Sequence, residues 1–256
     1  MENAFIFDTH AHYTDDAFKN EPASFFNNLY NSGVHKIITC GCDADDSLNA
    51  LNLAQKFPFM YAAVGYHPEN ITETAVFDYA LMESLILNPK TVAVGEIGLD
   101  YYWDAVSRKK QVEFFRIQLE FANKHDMPVI IHDREAHADT LEILKEYRPK
   151  GVVHCFSGSA EMAAELIKKE IYIGFGGVIT FKNAKKSAEV LKSIPLEKVL
   201  LETDCPYLAP EPLRGSRNTS ANIIYVAQKM AEIKGITLNE VLGATFKNAV
   251  DLFKIK

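Results

Sequence analysis

Ala4-Phe5-Ile6-Phe7-Asp8-Thr9-His10-Ala11-His12 opens with an apolar run that ends in two histidines. The run reads as a buried strand, and its polar exit decides the fold. In a doubly wound open sheet the first strand leads into a glycine-rich loop; here a His-x-His stands in that place. The same event recurs downstream. Thr91–Gly95 runs into Glu96, Val129–Ile131 into His132, Gly151–Val153 into His154, and Val199–Leu201 into Glu202 and Asp204. An ionisable group delivered by a buried strand opposes folding unless it is paired or binds a metal. Five such exits, all at C-terminal strand ends, describe one site.

Apolar strand-like runs alternate with amphipathic helical stretches along the chain. Strands are predicted at Ala4–Asp8, His35–Cys40, Met60–Gly65, Thr91–Gly95, Pro128–His132, Gly151–His154, Ile171–Gly174 and Val199–Thr203. They are continuous in Val, Ile, Phe and Ala, the pattern of parallel strands covered on both faces. Between them, Pro22 suits the first turn of a helix carrying Phe25, Phe26, Leu29 and Tyr30, which Gly33 closes. A longer helix, Ser107 to His125, repeats Val112, Phe115, Leu119 and Ala122 at helical spacing. Ile223 to Ile233 carries another apolar stripe. Thr237-Leu238-Asn239-Glu240 fits a capping box before the last helix. Eight strand–helix alternations without a linker predict an α/β fold, a (β/α)8 TIM-type barrel forming one domain over residues 1–256. Its active site is expected at the C-terminal rim of the strands.

Hydrophobic content of 48% and charged content of 24% are ordinary for a globular chain. Met1-Glu2-Asn3 lacks the basic start of a signal peptide, and no run approaches the roughly 18 apolar residues of a membrane span. Cys40, Cys42, Cys155 and Cys205 do not make a disulfide framework. The expectation is a cytoplasmic protein without membrane contact or an obligatory protein partner. A net charge of −7 argues against coating nucleic acid through a broad basic face. It leaves room for a small pocket whose positive charge comes from bound metal ions.

His10 and His12, two apart at a strand end, point to one side of the chain and can grip one ion; alone, such a pair is equally a surface feature. Glu96 ends a stretch with nothing else polar and, alone, would pair with a basic residue. No lysine is present there to serve as a carbamylated bridge between metals, but a carboxylate has two oxygens and can bridge directly. His132 and His154 would singly be core histidines, and Asp204 a turn cap before Pro206. On one barrel rim the weights change. Four imidazoles and at least two carboxylates would crowd one mouth, and two divalent cations would neutralise them. Dividing the ligands gives His10, His12 and Asp204 to one ion, His132 and His154 to the second, and Glu96 to both. Open positions remain for water. Paired ions about 3.5–4 Å apart suit a displacement, so the implied chemistry is hydrolysis. Glu96 and Asp204 are its catalytic carboxylates, Asp204 orienting the water or taking its proton. These donors admit Zn, Mg, Mn, Fe, Co or Ni.

The longer motifs add a family. Phe7-Asp8-Thr9-His10-Ala11-His12, Gly65-Tyr66-His67-Pro68, Gly95-Glu96-Ile97-Gly98-Leu99-Asp100-Tyr101 and His132 followed by Arg134 resemble TatD-type deoxyribonucleases. So do His154-Cys155-Phe156-Ser157-Gly158, Thr180-Phe181-Lys182-Asn183-Ala184 and Leu201-Glu202-Thr203-Asp204-Cys205-Pro206-Tyr207-Leu208-Ala209-Pro210. The resemblance covers nearly the whole chain. It implies a distorted TIM barrel of the amidohydrolase superfamily, two divalent ions on the six ligands named, and phosphodiester hydrolysis, commonly on DNA ends. The acidic net charge favours an end or a single strand over a long duplex. Hydrolysis of a small ester, lactone or amide is the alternative, followed by a metal-binding scaffold without catalysis. One departure stands out. After Arg214-Gly215-Ser216-Arg217-Asn218 the family usually continues Glu-Pro, whereas this chain has Thr219-Ser220, on a loop that could touch substrate.

Other residues are candidates for substrate contact. His67 could meet a phosphate or be a hydrogen-bonded loop histidine. Arg134 and Arg214 carry guanidinium forks suited to phosphate oxygens. Arg217 is read slightly more readily as solvated surface, and Lys182 is open to either reading. Glu202, one layer deeper than Asp204 on the same face, could orient a ligand or water from behind. Tyr101, Tyr102 and Trp103 could stack on a base, with packing over the rim the more common use. Cys155 and Cys205 are read as packing residues, while Cys40-Gly41-Cys42 could bind a soft metal, with packing near the rim the more common use.

Overall fold

A computed structural model describes residues 5–103 and 105–255. The Met1-Glu2-Asn3 start and Ala4, the first residue of the predicted opening strand, lie outside them. The eight strands are β1 (Ile6–Ala11), β2 (Val34–Cys40), β3 (Met60–Val64), β4 (Thr91–Asp100), β5 (Val129–Arg134), β6 (Gly151–Val153), β7 (Ile171–Phe175) and β8 (Val199–Leu201). They pair in chain order, all parallel, as one sheet. Between and after them run α1 (Ala23–Asn31), α2 (Ala44–Lys56), α3 (Tyr79–Ile86), α4 (Arg108–Lys124), α5 (His137–Tyr147), α6 (Ala160–Ile167), α7 (Lys185–Ser193), α8 (Ile223–Lys234) and α9 (Leu238–Phe253). None of these helices is long and apolar enough to cross a membrane.

The sheet is a barrel with one unsealed seam. Between β1 and β8 the ladder is replaced by a single bridge, Ala11 to Cys205, and by bonds around Asp8. The Asp8 carboxyl accepts the hydroxyls of Thr203 and Ser220, both at 2.6 Å, and the Thr203 N–H at 3.0 Å. Burial pushes that carboxyl up to about 6 despite these donors. Ser220 also donates its N–H to the Tyr13 hydroxyl at 2.9 Å. Of the Thr219-Ser220 departure, Ser220 therefore serves the seam: it is fully buried there and is not among the residues lining the barrel mouth. A proline at 220 would supply neither the N–H nor the hydroxyl.

Strand residues alternate between two apolar layers. Ile37, Val64, Val94, Ile131, Val153, Ile173 and Leu201 pack outward against the helices. Phe7, Ile38, Ala63, Ala93, Ile130, Val152 and Leu200 face inward, where Ala249, Leu252 and Phe253 of α9 join them. Asn248 of α9 donates to the carbonyls of Leu196 and Val199, where β8 begins. Helix α9 thus closes the N-terminal end of the barrel and leaves the C-terminal rim as the open mouth. Its N-terminus carries the capping box expected at Thr237 and Glu240.

Several boundaries differ from the sequence reading. Pro22 stands before the first turn of α1. Strand β1 continues to Ala11, β4 to Asp100 and β5 to Arg134. The ladder slips between Asp8 and Ala11 and between Val94 and Ile97, absorbing an extra length of chain so that pairing resumes beyond His10 and Glu96. Both residues therefore sit at irregularities inside strands rather than at their ends. Strands β6 and β8 are shorter than expected. His154 lies just past β6, and beyond Leu201 the backbone turns to the seam, where Asp204 N–H donates to the His10 carbonyl at 2.9 Å.

Candidate metal centre

The two register slips and the ends of β5, β6 and β8 converge on Glu96. Its Oε2 lies 3.2 Å from His10 Nε2 and 3.4 Å from His12 Nε2. Those two nitrogens are 3.0 Å apart, and Asp204 Oδ1 stands 3.6 and 3.3 Å from them. The other oxygen, Oε1, lies 2.9 Å from His132 Nδ1 and 2.6 Å from His154 Nε2. These two nitrogens are 3.3 Å apart. Donors sharing an ion at about 2.0–2.2 Å stand roughly 3 to 3.6 Å from one another. Both groups have the chemistry and much of the spacing that a divalent ion asks for. All six predicted donors are brought together, one carboxylate oxygen to each group.

The carboxylates of the cluster are held ionised and attract positive charge. Against burial, this also draws His12, His132 and His154 toward their protonated forms. Burial works against ionising Glu96, yet His154, His10 and His67 around it hold its carboxyl well below the usual carboxylate range. Asp204 is likewise lowered against burial, chiefly by its hydrogen bond to His12. Burial lowers His10 to about 4, leaving a neutral imidazole, the form that binds metal. Burial also opposes charge on His132, but bonds to Asp100 and Glu96 override it and raise the ring to about 10.

Supporting residues that the sequence reading missed hold the donors in place. Asp100 Oδ2 meets His132 Nε2 at 2.9 Å. Helix α4 clamps this end of β4: Gln111 accepts the Asp100 N–H and donates to its carbonyl, both at 2.8 Å. Two turns further along the same face of α4, Gln118 does the same for Tyr66, beside His67. Behind His10 and His12 stand thiols, Cys40 Sγ at 3.5 Å from one Nδ1 and Cys42 Sγ at 3.7 Å from the other. Burial pushes both thiols up, so they stay neutral. The packing role expected for these cysteines is thus joined by contact with the histidines. Signals were present. Residues 96, 98 and 100 share strand parity, and 111 and 118 lie two helical turns apart among Phe114, Phe115 and Leu119.

Gly98 is required where β4 passes β5. Its φ is +149°, and a Cβ there would sit 2.0 Å from the His132 carbonyl oxygen. Glu202 lies beneath the centre, accepting the Cys155 N–H with one oxygen. Its other oxygen and His154 Nδ1 find no hydrogen-bond partner among the described residues. Burial raises Glu202 to about 8, favouring its protonated form.

The cluster forms the floor of an open cavity of about 750 Å³. His67 and Arg134 line it, as do Trp103, Tyr207, Asp15, Asp43, Asp46 and Glu69. His67 also stands among the donors, its Nε2 3.4 Å from Glu96 Oε1, and burial lowers its basicity. Arg214 is set apart from the wall, its guanidinium 4.4 Å from the Phe181 ring centre. Arg217 is tied to the Ala17 carbonyl and to Glu21, and Lys182 is exposed away from the cavity. Of the three aromatics after Glu96, Tyr101 packs half-buried with its hydroxyl on Asp139, while Tyr102 and Trp103 stand in solvent.

Comparison with known proteins agrees with this geometry. The family model for TatD-related DNases matches residues 7–254. A metal-dependent hydrolase of Bacillus subtilis, YabD, is 41% identical over 253 residues, covering 98% of this chain and 99% of the relative. Another from Escherichia coli K12, YcfH, is 39% identical over 194 residues, covering 75% and 72%. The crystal structure of the TatD homologue YjjV from Escherichia coli K12 superposes with a TM-score of 0.91 at 31% identity, covering 100% of both chains. The chain belongs to the TatD family of metal-dependent hydrolases.

Proposed function

We propose that this chain hydrolyses phosphodiester bonds in DNA, at ends or in single strands, with two divalent ions held by His10, His12, Glu96, His132, His154 and Asp204. The observation that carries the reading is Glu96, which offers one oxygen to each of two histidine groups on the floor of an open cavity. When bound, such an ion pair supplies Lewis-acid charge for the phosphoryl oxygens and eases deprotonation of water. The chain's own residues do the rest. Asp204, held ionised beside His12, orients the attacking water and receives its proton as the P–O bond to the departing sugar oxygen breaks. That oxygen takes a proton from the water of the open cavity. Arg134 faces the cavity with a guanidinium fork suited to a non-bridging phosphate oxygen. His67, neutral and buried beside Glu96, positions the phosphate from the β3 side.

A second reading, hydrolysis of a small ester, lactone or amide, draws on the outer wall. Asp15, Asp43, Asp46 and Glu69 line the cavity and repel a long polyanion. The two are separated by chelating the protein, restoring each metal in turn, and assaying 5′- and 3′-labelled single-stranded DNA beside small esters. The nuclease reading predicts metal-restored DNA cleavage that Glu96→Ala reduces at least a hundredfold. DNA turnover equal to that of Glu96→Ala, with a small ester turned over, would replace it with the second reading.

A further inference from the structure

Tyr102 and Trp103 leave β4 beside the cavity with 53% and 57% of their surfaces in solvent. Aromatic surface left exposed at the lip of a cavity is available to a ligand. These two rings are also built into place. Both backbone N–H groups donate to Asp100 Oδ1 at 2.9 Å, and the other Asp100 oxygen meets His132 Nε2 at 2.9 Å. The rings stand perpendicular, 86° apart at 4.9 Å. Arg134, at the end of β5, brings its guanidinium to 4.0 Å from the Tyr102 ring centre and 5.3 Å from that of Trp103. Of the three, Trp103 and Arg134 line the cavity.

We propose that Trp103 and Arg134, backed by Tyr102, form a subsite for the nucleobase next to the scissile phosphate. The subsite rests on the phosphodiester reading above and assigns the group that flanks the phosphate. Trp103 offers a ring to the base, while stacking against Tyr102 fixes the direction of the Arg134 fork toward the phosphate oxygens. A ring–base stack of this kind is worth roughly 5- to 150-fold in affinity per base. It is indifferent to base identity, because every base has a flat face. Asp100 joins the subsite to the centre, since the same carboxylate fixes the aromatic loop and the His132 ring. Filling the subsite therefore steadies a donor of the metal centre as well as the substrate.

Trp103 is the chain's single tryptophan, so its fluorescence reports on this subsite directly. The metal-loaded wild-type protein is titrated with a phosphorothioate single strand, and with a strand of the same length lacking bases. Saturable quenching by the base-bearing strand only is the expected result. In cleavage assays, Trp103→Ala lowers the preference in kcat/KM for base-bearing over abasic phosphodiester strands by about tenfold, and Trp103→Phe restores most of it. Equal quenching by both strands, or an unchanged preference in Trp103→Ala, would overturn the subsite. Base-dependent quenching by a protein that cleaves no phosphodiester would uphold the subsite and defeat the reading on which the reaction rests.

Discussion

Asp100 shows how much of the centre depends on residues that touch it from behind. One of its oxygens holds His132 and the other holds the loop that carries Tyr102 and Trp103. Burial opposes its charge, but the His132 bond and the two backbone N–H groups lower it to about 2. Carboxylates placed behind metal-binding histidines typically contribute 10- to 100-fold in metal affinity. Asp100→Ala is expected to weaken the more labile ion by about that factor in a competition titration against a chelator, while Asp100→Asn loses less. Equal affinity in Asp100→Ala and wild type would remove Asp100 from this role. The six donors were legible in the sequence because each interrupts an apolar run. Asp100 shares strand parity with Glu96, but that parity counts only if β4 continues past Glu96, and the continuation depends on a ladder slip that composition does not show.

Among the elements, α4 links the outer shell of the barrel to its mouth. Gln111 and Gln118 are buried in a helical face that otherwise packs Phe114, Phe115 and Leu119. Each clamps one backbone segment of the rim in both directions. Gln111→Leu keeps the apolar face but strands the Asp100 N–H and carbonyl, and each stranded buried group costs about 1–3 kcal/mol. Denaturant unfolding of Gln111→Leu is expected to show a loss of about 2–6 kcal/mol, with metal affinity falling as for Asp100→Ala. A loss below about 0.5 kcal/mol would mean water or another group takes over both bonds. Strand and helix order was readable from hydrophobic runs and caps, since continuous apolar strands need cover on both faces. The strand ends were misjudged at the rim, where tertiary bonds rather than composition set the length. There β1 outruns its apolar segment, and β8 gives up its ladder for the Asp8 seam.

Across the whole molecule, the proposed centre draws donors from β1, β4 and β5 and from the segments after β6 and β8, spanning the seam between first strand and last. Helix α9 closes the opposite end, so apolar packing holds the N-terminal end of the barrel while the polar cluster organises the mouth. The barrel was legible from the strand exits and the family resemblance together. The unsealed seam and the role of Ser220 in it were not, because they depend on how the first and last strands meet. The chemistry proposed for the mouth requires that one carboxylate, Glu96, serve two ions. Metal content per chain after dialysis, measured by atomic emission on wild type, His132→Ala and Glu96→Ala, decides whether it does. About two ions are expected in wild type, about one in His132→Ala and almost none in Glu96→Ala. A Glu96→Ala protein that keeps two ions, or a wild type that binds one at saturation, would contradict the shared carboxylate.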